Sequence, residues 1–593
     1  MIECLCLLLS SGTAPQAPLA KQNFLVFTHV AVVHPTSPRP EFDMTVVIAG
    51  PRIAEIGKGV PVPQGAEVVD ARGKFLMPGL WDMHVHWYAK RYLTLFIANG
   101  VTGIRVMFGQ PIHHEWRREI DEGELLGPRM SIASPIIDGP KPFWPDSVAV
   151  GTEAEARGAV VRVKQNGADF VKVYTFLPHD AYFAIANESK KQGIPFEGHV
   201  PLSVTAEEAS NAGQKSFEHL LGVLPACSLQ SKELDRAARD DLAEAISSGK
   251  PVFEGPHFHK IRDLELQAYS SERAAALFET FRKNGTWQCP TLTINRNVAF
   301  LDDPSFKKDG RLKYMPPGIR SYWERSFEPG ADPGNLPVTR DDFVFYQKEF
   351  TKQLEIVGLM QKSGVGILAG TDALNPFCFP GFSLHDELAL LVQAGLTPSE
   401  ALQTATINPA RFLGEENDFG AVEKGRIADL VLLDANPLED IANTKKIQAV
   451  VFNGRYFPKP RLEEMLAKLE TLAAKKSIAD ALFTLVIDKG FDTALKRYYE
   501  LKRTGSEDYD FGVGELDDLG FRLLGRKKTD EAIWILELNA EVYPLSWYVF
   551  DSLGEGYMRI GNRERAIKNY RRSLELNSRN TNATDKLMQL GAR

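Results

Sequence analysis

Residues 77–86 read Met-Pro-Gly-Leu-Trp-Asp-Met-His-Val-His, an apolar run that ends in two histidines one residue apart, His84 and His86. Side chains of an extended strand alternate between faces, so both imidazoles point the same way. In a strand of a parallel barrel that side faces the mouth, where two neutral ring nitrogens suit a borderline cation. A pair at this spacing can also be two ordinary polar residues, and the chain contains its own control. His257 and His259 lie in KPVFEGPHFHKIRD, which carries Pro and Gly and follows no long apolar run, so that pair reads as loop.

The first pair is set apart by its company. Lys172 in DFVKVY, His199 in PFEGHV, His219 in KSFEHL and Asp372 in ILAGTDA each close an apolar, strand-like run, and strand ends are where barrel enzymes carry their catalytic groups. From 77 to 414 such runs, GVTGIRVM and GTWQCPTL among them, alternate with helical patterns. This predicts an α/β fold, a parallel sheet closed into a (β/α)8 TIM barrel. His199 and His219 leave room for one helix, VTAEEASNAGQ, as consecutive β/α units require. A lysine inside an apolar strand is costly as an ammonium and is driven towards its neutral amine. Such an amine can capture carbon dioxide as a carbamate that bridges two cations, unless the side chain snorkels to the rim. Asp372 can both ligate a cation and accept a proton. Tyr174 shares the inward face of Lys172, where it would steady a carbonyl or simply pack. His385 in FSLHDEL begins the helix after the last strand, where it would bind substrate or face solvent.

Outward from the barrel, 22–76 holds short β-branched runs cut by Gly and Pro at hairpin spacing, and strands return in RIADLVLLDANP and KIQAVVFNGRYF. The expectation is one composite β-sandwich domain made of 22–76 and 415–458. From 459 to 593 the composition is helical. A 34-residue offset there aligns Gly520 with Gly554 and Ala532 with Ala566, a period that resembles tetratricopeptide (TPR) repeats. A degenerate unit, IDKGFDTALKRYYELKR, precedes them. A stabilising cap and a docking surface for a protein partner or a second copy both fit such an array. Residues 1–21 contain a short apolar run without a basic start. They read as an imperfect signal peptide, implying a periplasmic or extracellular protein, or as a disordered N-terminus of a cytoplasmic one.

The ordered set His-x-His, Lys, His, His, Asp resembles the binuclear amidohydrolase superfamily over about residues 22–458. GADFVKVY, GIPFEGHVP, SFEHL, AGTDA, SLHDELALLVQAGLTPSEALQTATINPARFLG and KGRIADLVLLDANPL are most similar to its imidazolonepropionase-like and Xaa-Pro-dipeptidase-like branch. The resemblance implies one metal on His84, His86 and Asp372, a second on His199 and His219, and carboxylated Lys172 bridging them, with zinc the expected metal. It also implies that imidazolonepropionases use one metal and lack this lysine, which argues against that exact activity. The expected reaction is hydrolysis of an amide or peptide bond in a dipeptide or N-acyl amino acid. A metal-bound hydroxide would attack, and Asp372 would take the proton. A cyclic amidohydrolase or deaminase on the same barrel is one alternative. A non-catalytic, repeat-linked binding scaffold is another; it predicts lost ligands, and none of the six positions is vacant.

Composition narrows the partners. A net charge of −8 over 593 residues gives no global field to attract nucleic acid, and past the N-terminus no apolar run has membrane-spanning length. Five scattered cysteines, at 4, 6, 227, 289 and 378, form neither a disulfide framework nor a paired-cysteine zinc pattern. Any zinc must therefore sit on histidine and carboxylate.

Overall fold

The computed structural model describes residues 24–144, 146–248, 263–325 and 340–592. The N-terminal segment read as a signal peptide and the control pair His257 and His259 lie outside the described residues. Strands flank the central region on both sides. Phe24–Val32, Glu41–Ala49, Arg52–Gly57 and Phe75–Pro78 join Leu430–Leu433, Ile447–Phe452 and Arg455–Pro458 in one eight-stranded sheet, with Glu67–Asp70 paired to the first strand. The two flanks meet antiparallel, with Leu432 opposite Leu76 and Leu430 opposite Pro78. The ladder runs unbroken from Arg455–Pro458 to Arg52–Gly57, and Arg52 bridges back to Ile427, so the sheet curves round on itself. Phe27, Val46, Ile48, Leu430, Leu432 and Val451 bury a core of its own.

In the central region the strands are parallel and short. Leu80–Val85, Val101–Val106 and Arg129–Ile132 form a three-stranded sheet. Val171–Val173, Phe196–Gly198, Ser216–Glu218 and Trp287–Cys289 continue in a second, six-stranded sheet whose other edge is Ile137–Asp138 and Val148–Ala149. Among the described residues these strands do not close into one continuous eight-stranded ring. Single parallel bridges link the edges instead: Ala133 with Phe170, Gln288 with Ile367, and Val85 with Ala373. The ladder is interrupted where side chains take over backbone donors. The Thr371 amide donates to the Asp82 carboxylate (3.0 Å) and the Lys172 amide to the Ser134 hydroxyl (3.0 Å). The stretch that carries Asp372 is therefore bridged at Ile367 and Ala373 without being a regular strand.

Helices alternate with these strands as the patterns predict, and several begin at capping boxes, Thr152 with Glu155 and Thr205 with Glu208 among them. The Thr205 box opens Ala206–Asn211, the helix expected between His199 and His219. Lys459–Ala473 buries Leu462, Met465 and Leu469 in the central core, so the separate helical region starts after that helix and not at 459.

That region contains two helix pairs in 34-residue register. Val513–Gly525 and Thr529–Val542 are followed by Trp547–Arg559 and Arg563–Leu576. The offset has a packing cause. A Cβ on Gly520 would lie 2.7 Å from the Leu536 side chain, and one on Gly554 would lie 2.9 Å from the Tyr570 ring. Both helix crossings therefore need a residue without a side chain. No helix among the described residues is long and apolar enough to cross a membrane.

Candidate metal centre

Three side-chain atoms able to ligate a cation meet at the C-terminal end of the Leu80–Val85 strand. His84 Nε2 lies 3.2 Å from His86 Nε2 and 3.3 Å from Asp372 Oδ1, and His86 Nε2 lies 3.1 Å from the same oxygen. The proton positions follow from the other ring nitrogens. His84 Nδ1 lies 2.7 Å from Glu218 Oε2, a carboxylate that already accepts both of its 2.9 Å contacts from the Arg105 guanidinium, so His84 donates from Nδ1 and its Nε2 lone pair faces the cluster. His219 Nδ1 faces Thr291 Oγ1 at 2.7 Å, and that hydroxyl gives its own proton to the Pro290 carbonyl. His219 must then donate from Nδ1, leaving Nε2 free. His199 Nδ1 pairs with Thr175 Oγ1 at 2.8 Å. The rings form one group: His84 to His219 is 4.6 Å between centroids, and His219 to His199 is 5.0 Å.

Burial keeps these imidazoles neutral. It is the foremost cause that pulls His84 and His199 well below their ordinary value and His219 down to about 4. Burial opposes ionisation of Asp372, yet the His84, His219 and His86 rings outweigh it and hold the carboxyl far below its usual range. Its Oδ1 has no hydrogen-bond partner.

Lys172 is fully buried and its Nζ likewise has no hydrogen-bond partner. It points into the cluster and not to the rim: its ammonium is coupled to Glu218 and Asp372 and raises the cost of charging His84, His199 and His219. Burial lowers its amine to about 8, so neutral amine is accessible near physiological pH. Gly198, one residue before His199, lets the two strands come this close. A Cβ there would lie 2.3 Å from the Val173 carbonyl oxygen and 3.0 Å from Lys172 Cδ, at a φ of +131°. His219 and Asp372 adopt φ of 62° and 60°, a left-handed backbone that costs non-glycine residues about 1–3 kcal/mol and is concentrated at functional sites.

The structure thus brings together His84, His86, Lys172, His199, His219 and Asp372. Tyr174 is with them, stacked on His199 at 4.0 Å and accepting a hydrogen bond from Trp144 Nε1 at 2.8 Å. His385 is not. It is buried, with Nε2 at 3.0 Å from the Asn99 carbonyl and Nδ1 at 2.9 Å from the Thr444 hydroxyl. Both ring nitrogens are spent on joining helix to loop, which corrects the expectation that it could reach substrate.

Sequence reasoning missed the support beneath the cluster. Arg105 is fully buried, with Nε at 2.6 Å from the Met83 carbonyl and Nη1 at 2.7 Å from Glu197 and 2.9 Å from Ser216. The signal was present as single charges in apolar runs, Arg in GIRVM, Glu in PFEGH and Glu in SFEHL. Asp82 is a second such group, accepting from the Thr371 hydroxyl at 2.6 Å.

Residues 341–456 match the profile of the amidohydrolase family. An imidazolonepropionase of Deinococcus deserti is 43% identical over 83 residues, 14% of this chain, and the match spans 20% of that relative's length. A dihydroorotase of Pelobacter propionicus is 36% identical over 423 residues, 69% of this chain and 89% of that protein. This chain belongs to the amidohydrolase family. Members of this family hydrolyse carbon–nitrogen bonds and typically bind divalent metals. Among solved structures, a bottromycin amidohydrolase aligns with this amidohydrolase at a TM-score of 0.60 and 23% identity, over 76% of this chain and 90% of that one. A Xaa-Pro dipeptidase with bound methionine aligns at 0.53 and 19%, over 74% and 100%. These two likenesses concern the fold, an α/β amidohydrolase fold to which this chain adds a C-terminal helical region.

The centre opens into a cavity of about 2110 Å³. His86, Tyr174, His199, His219 and Asp372 form its floor, and Asp517, Trp547, Asp551 and other residues of the helical region form the facing wall.

Proposed function

We propose that this amidohydrolase cleaves the amide or peptide bond of a small substrate, such as a dipeptide or an N-acyl amino acid, at two divalent cations. The single observation that carries the reading is the convergence of His84 Nε2, His86 Nε2 and Asp372 Oδ1 within 3.1–3.3 Å with no proton to share between His84 and the carboxylate. The lone pairs of His84 Nε2 and of the carboxylate oxygen face each other, an arrangement that a cation held among the three groups would relieve. His84, His86 and Asp372 would hold one cation and His199 and His219 the other. Lys172 carboxylated by carbon dioxide would lie between them; its buried, unpartnered amine supports that role. Histidine and oxygen donors suit zinc. Bound there, the cations supply a water acidic enough to attack near neutral pH and a Lewis acid for the carbonyl.

The protein groups do the rest. Asp372 takes the proton of the attacking water on its second oxygen and passes it to the departing nitrogen. Tyr174 accepts from Trp144, so its own O–H is left to donate to a substrate oxygen. Arg105 and Glu218 fix the His84 tautomer. The three bridges that link the parallel sheets support a (β/α)8 barrel as the frame, and the 34-residue register supports TPR-like repeats behind it, a surface for a protein partner or self-association. Export by way of residues 1–21 belongs to the same proposal.

A cyclic amide is the second reading, favoured by the dihydroorotase that matches over 89% of its length. Zinc-loaded protein screened against dipeptides, N-acyl amino acids and cyclic ureides separates the two. Turnover should fall at least about a thousandfold in Asp372→Asn, the scale of losing a proton carrier and a ligand together. Full activity in that variant, or in metal-free protein, would sink the proposal.

A further inference from the structure

The cavity is too large for the substrates just named. Pockets for small ligands usually enclose about 300–1,000 Å³, and this one encloses about 2110 Å³. Its far wall has a distinct chemistry. Among the described lining residues of the helical region, seven are Asp or Glu, and Lys586 is the one basic side chain.

Of those carboxylates, Asp517 has no cation beside it among the described residues, and Asp551 shares Lys586 with Glu555. Asp517 is 6% exposed; Tyr548 donates to its Oδ2 at 2.7 Å, and its Oδ1, beside Ser552, has no hydrogen-bond partner. Asp551 accepts from the neutral amides of Asn580 and Asn582, each at 2.7 Å. Lys586 and Arg559 pair with Glu555, at 3.0 Å and 2.9 Å. Asp517, buried with one oxygen free and no cation beside it, is costly to keep ionised, and burial pushes its carboxyl, like that of Asp551, up to about 6. An ammonium or guanidinium arriving from the cavity would remove that cost. Phe521, Tyr543, Trp547 and Tyr548 line the same wall and offer the rings along which an aliphatic stem and its cationic head pack.

We infer that Asp517 and Asp551 form a subsite for the basic side chain of an extended peptide substrate, whose scissile amide lies at the metal centre across the cavity. The inference deepens the amide-hydrolase reading and rests on it for the second half of that statement. The first half is tested without turnover. Full-length protein is titrated with N-acetylated hexapeptides of Ala and Gly that carry one lysine at successive positions. Each is matched by a peptide with norleucine in place of lysine. At the best position lysine should bind about tenfold or more tighter than norleucine, the scale of a charge-assisted hydrogen bond. Asp517→Asn with Asp551→Asn should erase the difference without weakening the norleucine peptide. Equal binding of the matched peptides by the wild-type protein overturns the subsite, and so does a lysine preference that survives in the variant. The wild-type comparison needs no substitution, so misfolding of the variant does not blunt it. Selective binding with no cleavage by zinc-loaded protein upholds the subsite and fails the amide-hydrolase reading alone, whereas cleavage without lysine preference does the reverse.

Discussion

Arg105 is the residue on which the centre rests. It neutralises Glu197 and Glu218 from a fully buried position, and Glu218 in turn sets the proton on His84. Breaking a buried pair by removing one partner typically costs about 3–5 kcal/mol, because the remaining charge is left uncompensated. Arg105→Met should therefore lower stability by about that much in urea unfolding, and Arg105→Lys should recover only part of it, since an ammonium lacks the fork that reaches Met83, Glu197, Ser216 and Glu218 together. A loss under about 1 kcal/mol would show that the network is dispensable. A second single-residue effect is visible in pH. Burial, helped by Asp510 and Asp518, raises the Glu515 carboxyl from 4.5 to about 7, against hydrogen bonds from Ser477 and the Ala479 amide. A carboxyl with a raised folded value holds its proton better when folded, so its contribution is fully present below about 4.5 and is lost as pH rises through about 7. In Glu515→Gln the group no longer titrates. The unfolding free energy of the wild type should fall relative to this variant between pH 5 and pH 7.5, by an amount on the order of 1 kcal/mol per pH unit at most, and its melting temperature should fall with it. Parallel profiles across that window would contradict the assignment.

At the scale of elements, the close approach of Val171–Val173 to Phe196–Gly198 is what brings Lys172 beside His199. Gly198→Ala would put a methyl 2.3 Å from the Val173 carbonyl, backbone that cannot yield without parting the strands. The variant should fold with its histidines displaced, and zinc measured after dialysis should drop below half that of the wild type; full occupancy would mean the strands can separate at no cost to the centre. The same strands show how far sequence carries. Lys172, His199 and His219 were legible because each closes a short apolar run, where a polar side chain needs a reason to exist. Gly198, which lets Lys172 and His199 approach, was not, because its role depends on which strand lies alongside. For the same reason the Arg105–Glu197–Glu218 network escaped: three isolated charges reveal no partnership until the order of strands is known. His385 misled for the opposite reason. Its place at a helix start after the last strand is where substrate-binding groups occur, but its fate is decided by Asn99 and Thr444, from distant parts of the chain. The composite sheet was foreseen from strand runs on both flanks of the central region, and the pairing of Phe75–Pro78 with Leu430–Leu433 is what joins them.

In the whole molecule, the helical region contributes to the same cavity as His86, His199, His219 and Asp372, and a seam of side-chain contacts joins it to the central region. Trp547 Nε1 donates to Glu115, Arg559 pairs with Asp146 at 3.1 Å, Asn166 donates to Asp585 at 2.9 Å, and Arg91 binds Asp510. Partly exposed contacts of this kind are worth about 0–1 kcal/mol each, so the seam is strong enough to hold a wall in place and weak enough to open. Glu115 and Arg559 stand outside the cavity lining; Arg559 also holds Glu555 at 2.9 Å, so Glu115→Ala alone is measured beside the double variant. Glu115→Ala with Arg559→Ala should loosen the seam by about 1–2 kcal/mol and raise amide hydrogen exchange in Val513–Gly525 and Trp547–Arg559, the helices that carry Asp517 and Asp551. If the facing wall positions an extended substrate, KM for a lysine-bearing hexapeptide should rise several-fold while kcat and the KM of an N-acyl amino acid, which touches only the floor, stay near wild type. Faster exchange with no change in either KM would mean that the helices shelter the centre without taking part in binding.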